Sequence, residues 1–417
     1  MNKIKSNITA AVRYLAVFCK WALIAIGTGI ICGLVGTAFH LAVGYANEFR
    51  EGHPWLIFLL PVGGLLIALI YRGSRMEGEG TNNIIDSIHD GEQIPIMLVP
   101  VIFVSTAITH LVGGSAGREG AALQIGGGIG WRIGRILKLD EKDMRLVTMC
   151  GMSAVFAALF GTPLTATIFA LEVISVGILY YSALIPCLTA SVTAYAISRI
   201  CGIMPSRYPV EYTHLEPVLL FKVCALAAVC AVVSIIFCIA MHKTEQYATR
   251  LIGNIYLRAC CGGIIVMILT FIVGSSAYNG AGTAVIDSAL SAGEAPTWGF
   301  LWKIIFTAVT IGFGFKGGEV VPTMFIGAAL GCTLAPILGI PATFAAAIGL
   351  VAVFCGSVNC PVASIILSVE MFGSGGLIYF ASACGLAYML SGYFGLYSSQ
   401  KIMYSKIKAE FINRNAK

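Results

Sequence analysis

The chain has 417 residues, of which 58% are hydrophobic and only 11% charged, against roughly 25% charged residues in a soluble domain. This composition excludes a water-soluble domain and identifies an integral membrane protein. The formal net charge of +6 is concentrated at the two ends and in one loop, so it does not mark a nucleic-acid-binding surface.

Lys3, Lys5, Arg13 and Lys20 precede the first apolar stretch, Trp21 to Tyr45. Lys401, Lys406, Lys408, Arg414 and Lys417 follow the last, Ile378 to Tyr393. By the positive-inside rule both termini are expected in the cytoplasm. The first stretch is longer than the roughly 7 to 15 apolar residues of a signal-peptide core and lacks a small-residue cleavage pattern, so it reads as a retained helix. Further apolar stretches run from Leu56 to Tyr71, Met97 to Thr109, Val147 to Leu171, Ala183 to Ile197, Val218 to Ala240, and Gly262 to Val273. They continue from Leu301 to Phe313, Met324 to Leu338 and Phe344 to Val353. Several fall short of the roughly 17 to 25 residues a spanning helix needs. Short, Gly- or Pro-interrupted segments imply broken helices whose ends meet a buried cavity. The 14 cysteines are scattered through apolar segments and read as packing residues. His40, His53, His89, His110, His214 and His242 form no metal-ligand pattern. Neither a metal nor another cofactor is expected. A basic loop carries Arg132, Arg135, Lys138, Lys142 and Arg145 and is expected near cytoplasmic headgroups.

The sequence repeats itself. GMSAVFAALFGTPLTATIFALEV, from Gly151, resembles GLVAVFCGSVNCPVASIILSVEM, from Gly349, aligning Pro163 with Pro361 and Glu172 with Glu370. Upstream, GREGAALQIGGGIG matches GGEVVPTMFIGAALG in a register that pairs Glu119 with Glu319. The expected organisation is one membrane domain over residues 1–417, made of two related halves (roughly 20–200 and 217–400), with no cytosolic regulatory domain after Tyr397. Glu172 and Glu370 are expected to hold helix ends or backbone amides, not to move ions.

Three glycine-rich segments stand at expected helix starts: Gly78-Glu79-Gly80-Thr81-Asn82-Asn83, Gly117-Arg118-Glu119-Gly120, and Gly317-Gly318-Glu319-Val320-Val321-Pro322. Free amides and the positive end of the helix dipole make each an anion site in principle, and three converging ends can replace an anion's water. An acid at membrane depth marks an ion path. The charged form of Glu119 competes with the anion and the neutral form withdraws, which links protonation to anion occupancy. The pattern Gly113-Gly114-Ser115-Ala116-Gly117, with His110 nearby, also fits a hydrolase elbow. That elbow requires a preceding strand, and a helical membrane context does not supply one, so the chain is not expected to be an enzyme.

GREGAALQIGG, the paired helices bearing Pro163 and Pro361, GGEVVP and the late GLYSS (Gly395 to Ser399) together resemble the CLC family of anion channels and proton-coupled anion antiporters, over nearly the whole chain. The resemblance implies an all-α polytopic homodimer with inverted halves and one pore per subunit. It implies that Glu119 is the gating glutamate, that Tyr397 brings a hydroxyl to the central anion site, and that amides beside Glu319 and Val320 complete that site. Three departures from chloride members resemble the family's bacterial fluoride/proton antiporters: Thr81-Asn82-Asn83 in place of S-G-I, Glu319-Val320 in place of x-F, and Val173 where an internal proton glutamate stands. Fluoride holds water tightly, and an Asn amide offers two N–H donors where a hydroxyl offers one. Which of Thr81, Asn82 and Asn83 faces the pore stays open, as does helix capping for either Asn. The expected site comprises Glu119 as gate and proton carrier, Glu319 as relay or anchor, and Thr81, Asn82, Asn83, Arg118, Gly120, Val320, Val321 and Tyr397 around the anion. The expected function is fluoride export in exchange for inward protons across a bacterial inner membrane, conferring fluoride resistance. The alternatives are a passive anion channel and a chloride/proton antiporter of the same family.

Overall fold

A computed structural model describes residues 2–208, 210 and 215–417. The side chains of Lys3 and Lys5, and all of His214, lie outside the described residues. The first half contains α1 (Asn2–Gly52), a 3-10 turn (Pro54–Leu59), α2 (Leu60–Gly73), α3 (Thr81–Asp90) and α4 (Leu98–Val112), then α5 (Glu119–Ile136), α6 (Glu141–Phe160), α7 (Pro163–Glu172) and α8 (Tyr181–Ile200). The second contains α9 (Pro217–Leu251), α10 (Ile255–Val273), α11 (Thr283–Ser291) and α12 (Gly299–Gly312), then α13 (Val320–Leu338), α14 (Ala342–Val358), α15 (Pro361–Phe372) and α16 (Leu377–Leu390). Among the described residues seven helical segments are long and apolar enough to cross a membrane, and α4, α7, α12, α14, α15 and α16 are shorter apolar helices. The all-α polytopic plan with broken helices is therefore borne out. One small sheet is added to it. β1 (Ser175–Val176) pairs in parallel with β2 (Lys401–Tyr404), which pairs antiparallel with β3 (Phe411–Asn415).

The apolar stretch from Val147 to Leu171 is two helices. Gly161 closes α6 with φ +70°, a conformation that favours glycine, and Pro163 opens α7 where its missing amide costs nothing. Glycine also sets the spacing of the longest helix contacts. A Cβ on Gly126 of α5 would lie 2.2 Å from the Gly151 carbonyl oxygen of α6, and one on Gly327 of α13 would lie 2.2 Å from that of Gly349 on α14. Both pairs cross with backbone against backbone, as small residues allow in membrane proteins.

The inverted relation follows from the carboxylates at the ends of α7 and α15. Glu172 accepts from the amides of Val362 (3.1 Å) and Ala363 (2.9 Å) at the start of α15. Glu370 accepts from the amides of Leu164 (3.0 Å) and Thr165 (2.8 Å) at the start of α7. Each helix ends where the other begins, so these equivalent helices run in opposite directions. Both glutamates neutralise a helix N-terminus, the role expected of them. The loops before α5 and α13 meet in the same reciprocal way: Gly117 N–H donates to Gly318 O (2.6 Å) and Gly318 N–H to Gly117 O (2.7 Å).

Candidate functional site

All three glycine-rich segments open helices, with α3 starting at Thr81, α5 at Glu119 and α13 at Val320. The reciprocal bridge at Gly117 and Gly318 fixes the register between the last two. Arg118 and Glu319 are the equivalent N-cap residues, and Glu119 and Val320 the equivalent first helical residues. The expected pairing of Glu119 with Glu319 is therefore one residue out, because the sequence match aligned the acids and not the helix starts.

Glu119 is fully buried. Its carboxylate folds back over its own loop, with Oε2 accepting from the Arg118 amide at 2.9 Å and lying 2.6 Å from where a Cβ on Gly117 would be. The amides of Glu119 and Val321 face the same carboxylate, and Arg118 Nε lies 3.5 Å from Oε1. The starts of α5 and α13 thus form a nest of amides that holds one negative charge. In this structure the charge held is the chain's own carboxylate. An external anion can take that place only when the carboxylate leaves, and protonation removes the charge the nest holds.

Beneath the nest is a cavity of 280 Å³ lined by Gly80 to Asn83, Gln124, Lys316, Glu319 and Tyr397, with Glu77, Glu79, Glu245 and Arg258 toward its exposed end. Thr81, Asn82, Asn83, Glu319 and Tyr397 are brought together on its wall. Arg118, Glu119, Gly120, Val320 and Val321 are not on the wall; they form the layer behind it. Gly120 is the thin point of that layer. A Cβ there would lie 3.0 Å from Gly318 Cα and 3.1 Å from Glu319 Oε2, and the Thr81 hydroxyl donates to its carbonyl at 3.4 Å. Among the described residues four buried oxygens of the cavity wall have no hydrogen-bond partner: Tyr71 OH, Gln124 Oε1, Glu319 Oε2 and Tyr397 OH. Polar groups in this state are expensive unless an occupant satisfies them.

Both asparagines use their carbonyl oxygens on the protein. Asn83 Oδ1 accepts from the Gly80 amide (2.8 Å), which is the helix-capping role. Asn82 Oδ1 accepts from the Ser399 amide (3.2 Å). Fixing the acceptor half of each amide leaves both N–H donors of its NH2 group unspent beside the cavity. Ser399 is itself anchored, its hydroxyl donating to Asp86 at 2.7 Å. Glu79, in the connection before α3, is pushed above the ordinary carboxylate range by partial burial and then by the Glu92 carboxylate.

Sequence reasoning missed Gln124, Ser399, Asp86 and Lys316. Gln124 had a signal, as a polar side chain among the apolar residues of the first turns after Glu119. It is buried, and its Nε2 donates to Thr81 Oγ1 at 3.1 Å. Lys316 directly precedes the third glycine-rich segment and Asp86 stands one turn after Asn82 on α3, while Ser399 reaches the site through tertiary contacts. Val173 is buried away from the cavity, its carbonyl accepting from Gln400 Nε2 at 3.0 Å. The hydrolase pattern dissolves in three dimensions. The buried Ser115 hydroxyl shares its hydrogen bond with Thr307 (3.0 Å), while the two His110 ring nitrogens lie 3.3 Å from Asn47 Oδ1 and 3.3 Å from Gly117 O.

The family model described as voltage gated chloride channel matches residues 63–392. A chloride/fluoride channel protein of Pseudomonas syringae pv. tomato is 38% identical over 399 residues, covering 93% of this chain and 87% of its own length. An H(+)/Cl(-) exchange transporter ClcA of Vibrio vulnificus (strain YJ016) is 26% identical, with 82% of this chain and 80% of its own length covered. The crystal structure of a CLC-type fluoride/proton antiporter superposes with a TM-score of 0.89 at 32% identity, over 92% of this chain and 98% of that one.

Proposed function

Since the chain belongs to the voltage gated chloride channel family, a family of ion transporters and channels, we propose that it is a fluoride/proton antiporter that exports fluoride in exchange for inward protons. The observation that carries this reading is the Glu119 carboxylate in the amide nest of α5 and α13, directly above a cavity lined by Asn82, Asn83, Glu319 and Tyr397. A carboxylate in an anion's place makes protonation the condition for anion entry. Glu119 gates and carries the proton, and Glu319, on the cavity wall 3.1 Å from the Gly120 Cβ position, relays it. The NH2 groups of Asn82 and Asn83, the Thr81 and Tyr397 hydroxyls and the amides near Gly120, Val320 and Val321 replace fluoride's water, while Arg118 offsets the charge at the gate. The protein forms a homodimer with one pore per subunit, each subunit a single membrane domain of two halves, roughly 20–200 and 217–400. It sits in a bacterial inner membrane with both termini in the cytoplasm. There the membrane potential contributes about 2.3 kcal/mol per 100 mV for each charge moved, and export confers fluoride resistance.

The test is purified protein in liposomes with an outward fluoride gradient, a pH electrode outside and chloride as the control anion. Proton uptake driven by fluoride and not by chloride is the expected result. Fluoride flux without proton movement identifies a passive channel, and proton uptake driven equally by chloride identifies a chloride/proton antiporter.

A further inference from the structure

A second cavity, of 560 Å³, is walled by the end of α1, the 3-10 turn, the end of α10 and the start of α11. The transport cavity touches Ile255 and Arg258 at one end of α10, and this one touches Thr270 and Phe271 at the other. The two are separated by most of a 19-residue helix. Its volume lies within the roughly 300 to 1,000 Å³ of small-molecule sites, which combine an apolar lining with a few fixed polar groups. The polar group here is Arg50. Its Nη1 is shut off from solvent without a hydrogen-bond partner, and among the described residues Arg50 forms no ion pair. Gly280, with φ +59°, makes the space for it, since a Cβ there would lie 2.9 Å from Nη1. Beside it, Thr283 and Ala284 bring the unpaired first amides of α11 to the wall. The apolar lining is Pro54, Ile57 and the exposed ring of Phe271. The one carboxylate on the wall, Glu51, is exposed.

We propose that this cavity binds an amphiphilic organic anion, with a carboxylate or phosphate head on Arg50 and the α11 amides and an apolar body against Ile57 and Phe271. A guanidinium that forms no ion pair among the described residues supplies the charge, and its planar fork suits an oxyanion. The site also reports to the gate. Asn279 on its wall donates to Gly113 O at 2.7 Å, and the Gly280 amide donates to Gly114 O at 3.0 Å. Asn47, also on the wall, contacts His110, whose other ring nitrogen faces Gly117 O. An occupant therefore presses on the loop that carries Arg118 and Glu119, and binding it slows transport.

The head group can come from a soluble acid or from an anionic lipid, and the probes are 4-phenylbutyrate and phosphatidylglycerol. Calorimetric titration of 4-phenylbutyrate into the full-length protein in nanodiscs of neutral lipid should show saturable binding. Arg50→Gln should weaken it about tenfold or more, the loss of one charge-assisted contact, and Ile57→Trp, which fills the apolar end and leaves the charge, should abolish it. Repeating the titration in nanodiscs containing phosphatidylglycerol separates the sources. Loss of 4-phenylbutyrate binding there assigns the site to a lipid head, and unchanged binding assigns it to a soluble acid. No saturable binding in neutral nanodiscs, or binding untouched by both substitutions, overturns the proposal. Binding is read without transport, so this result stands apart from whether the chain exchanges fluoride for protons.

Discussion

Glu119→Gln tests the gate most directly, because it keeps the side chain's shape and removes its charge. In the nest the carboxylate faces the amides of Arg118, Glu119 and Val321, with the Arg118 guanidinium 3.5 Å away. Hydrogen bonds to a charged acceptor contribute about 1.5 to 3 kcal/mol each, against about 0.5 to 1.5 kcal/mol for neutral pairs. Replacing the carboxylate by an amide thus weakens its hold by about 1 kcal/mol per contact and about 2 to 3 kcal/mol in all. That corresponds to a shift of about 30- to 140-fold toward the displaced side chain. The nest is then open to anions at any pH, and no proton is needed to open it. In liposomes with a fluoride gradient, fluoride electrode traces should report flux without the alkalinisation that accompanies exchange in the unsubstituted protein. Proton uptake at the unsubstituted ratio of protons to fluoride would sink the assignment of Glu119 as the carrier.

Glu319→Gln should abolish proton uptake while fluoride binding, measured by calorimetry, survives; retained coupled uptake reassigns Glu319 to anchoring alone. Gln124→Met removes the bond to Thr81 Oγ1 at a cost of about 1 kcal/mol. It should raise the fluoride concentration for half-maximal initial rate about fivefold and leave the coupling ratio unchanged. Asp86→Ala releases Ser399, whose amide holds Asn82 Oδ1; the ratio of fluoride to chloride initial rates should fall by a few-fold, and an unchanged ratio argues that Asn82 needs no such support. Glu172→Gln should lower stability by about 1 to 2 kcal/mol through weaker bonds to the α15 amides, seen as earlier thermal unfolding in detergent. Its coupling ratio should not move, and a change there contradicts a purely structural role.

Glycine, proline and the acids made the helix starts and the repeat legible, because each has a backbone reason to stand where it does. Pro163 and Pro361 open helices, Gly126 and Gly151 permit a close crossing, and Glu172 and Glu370 cap each other's partners. Registers were less legible. Matching acid to acid put Glu119 against Glu319, whereas the hydrogen-bonded glycines put Arg118 there. The sequence leaves open which of Thr81, Asn82 and Asn83 faces the pore and whether either Asn caps a helix. In the fold Asn83 caps and Asn82 is held by Ser399, yet both border the cavity. No local pattern announces that Ser399 reaches across from the far end of the chain. The small sheet was equally hidden, since two residues at Ser175–Val176 are too few to show a period.

That sheet bears on how the proton travels. In the sequence Val173 is simply a residue without an acid. In the fold it is fully buried, its carbonyl is bound by Gln400, and the backbone of its neighbour Ile174 accepts from the Lys401 amide where β2 joins β1. An acid at this position would stand in the apolar core, off the cavity wall. Glu319, by contrast, stands on a cavity whose far end carries exposed Glu77 and Glu245. On the proposed mechanism the proton and the anion therefore meet in one chamber and do not arrive by separate routes. Behind its wall, on this proposal, the amide nest holds one negative charge at a time, either the Glu119 carboxylate or the anion. Under the proposed function, exchange then follows from competition for that single place, with protonation of the same carboxylate deciding which of the two occupies it.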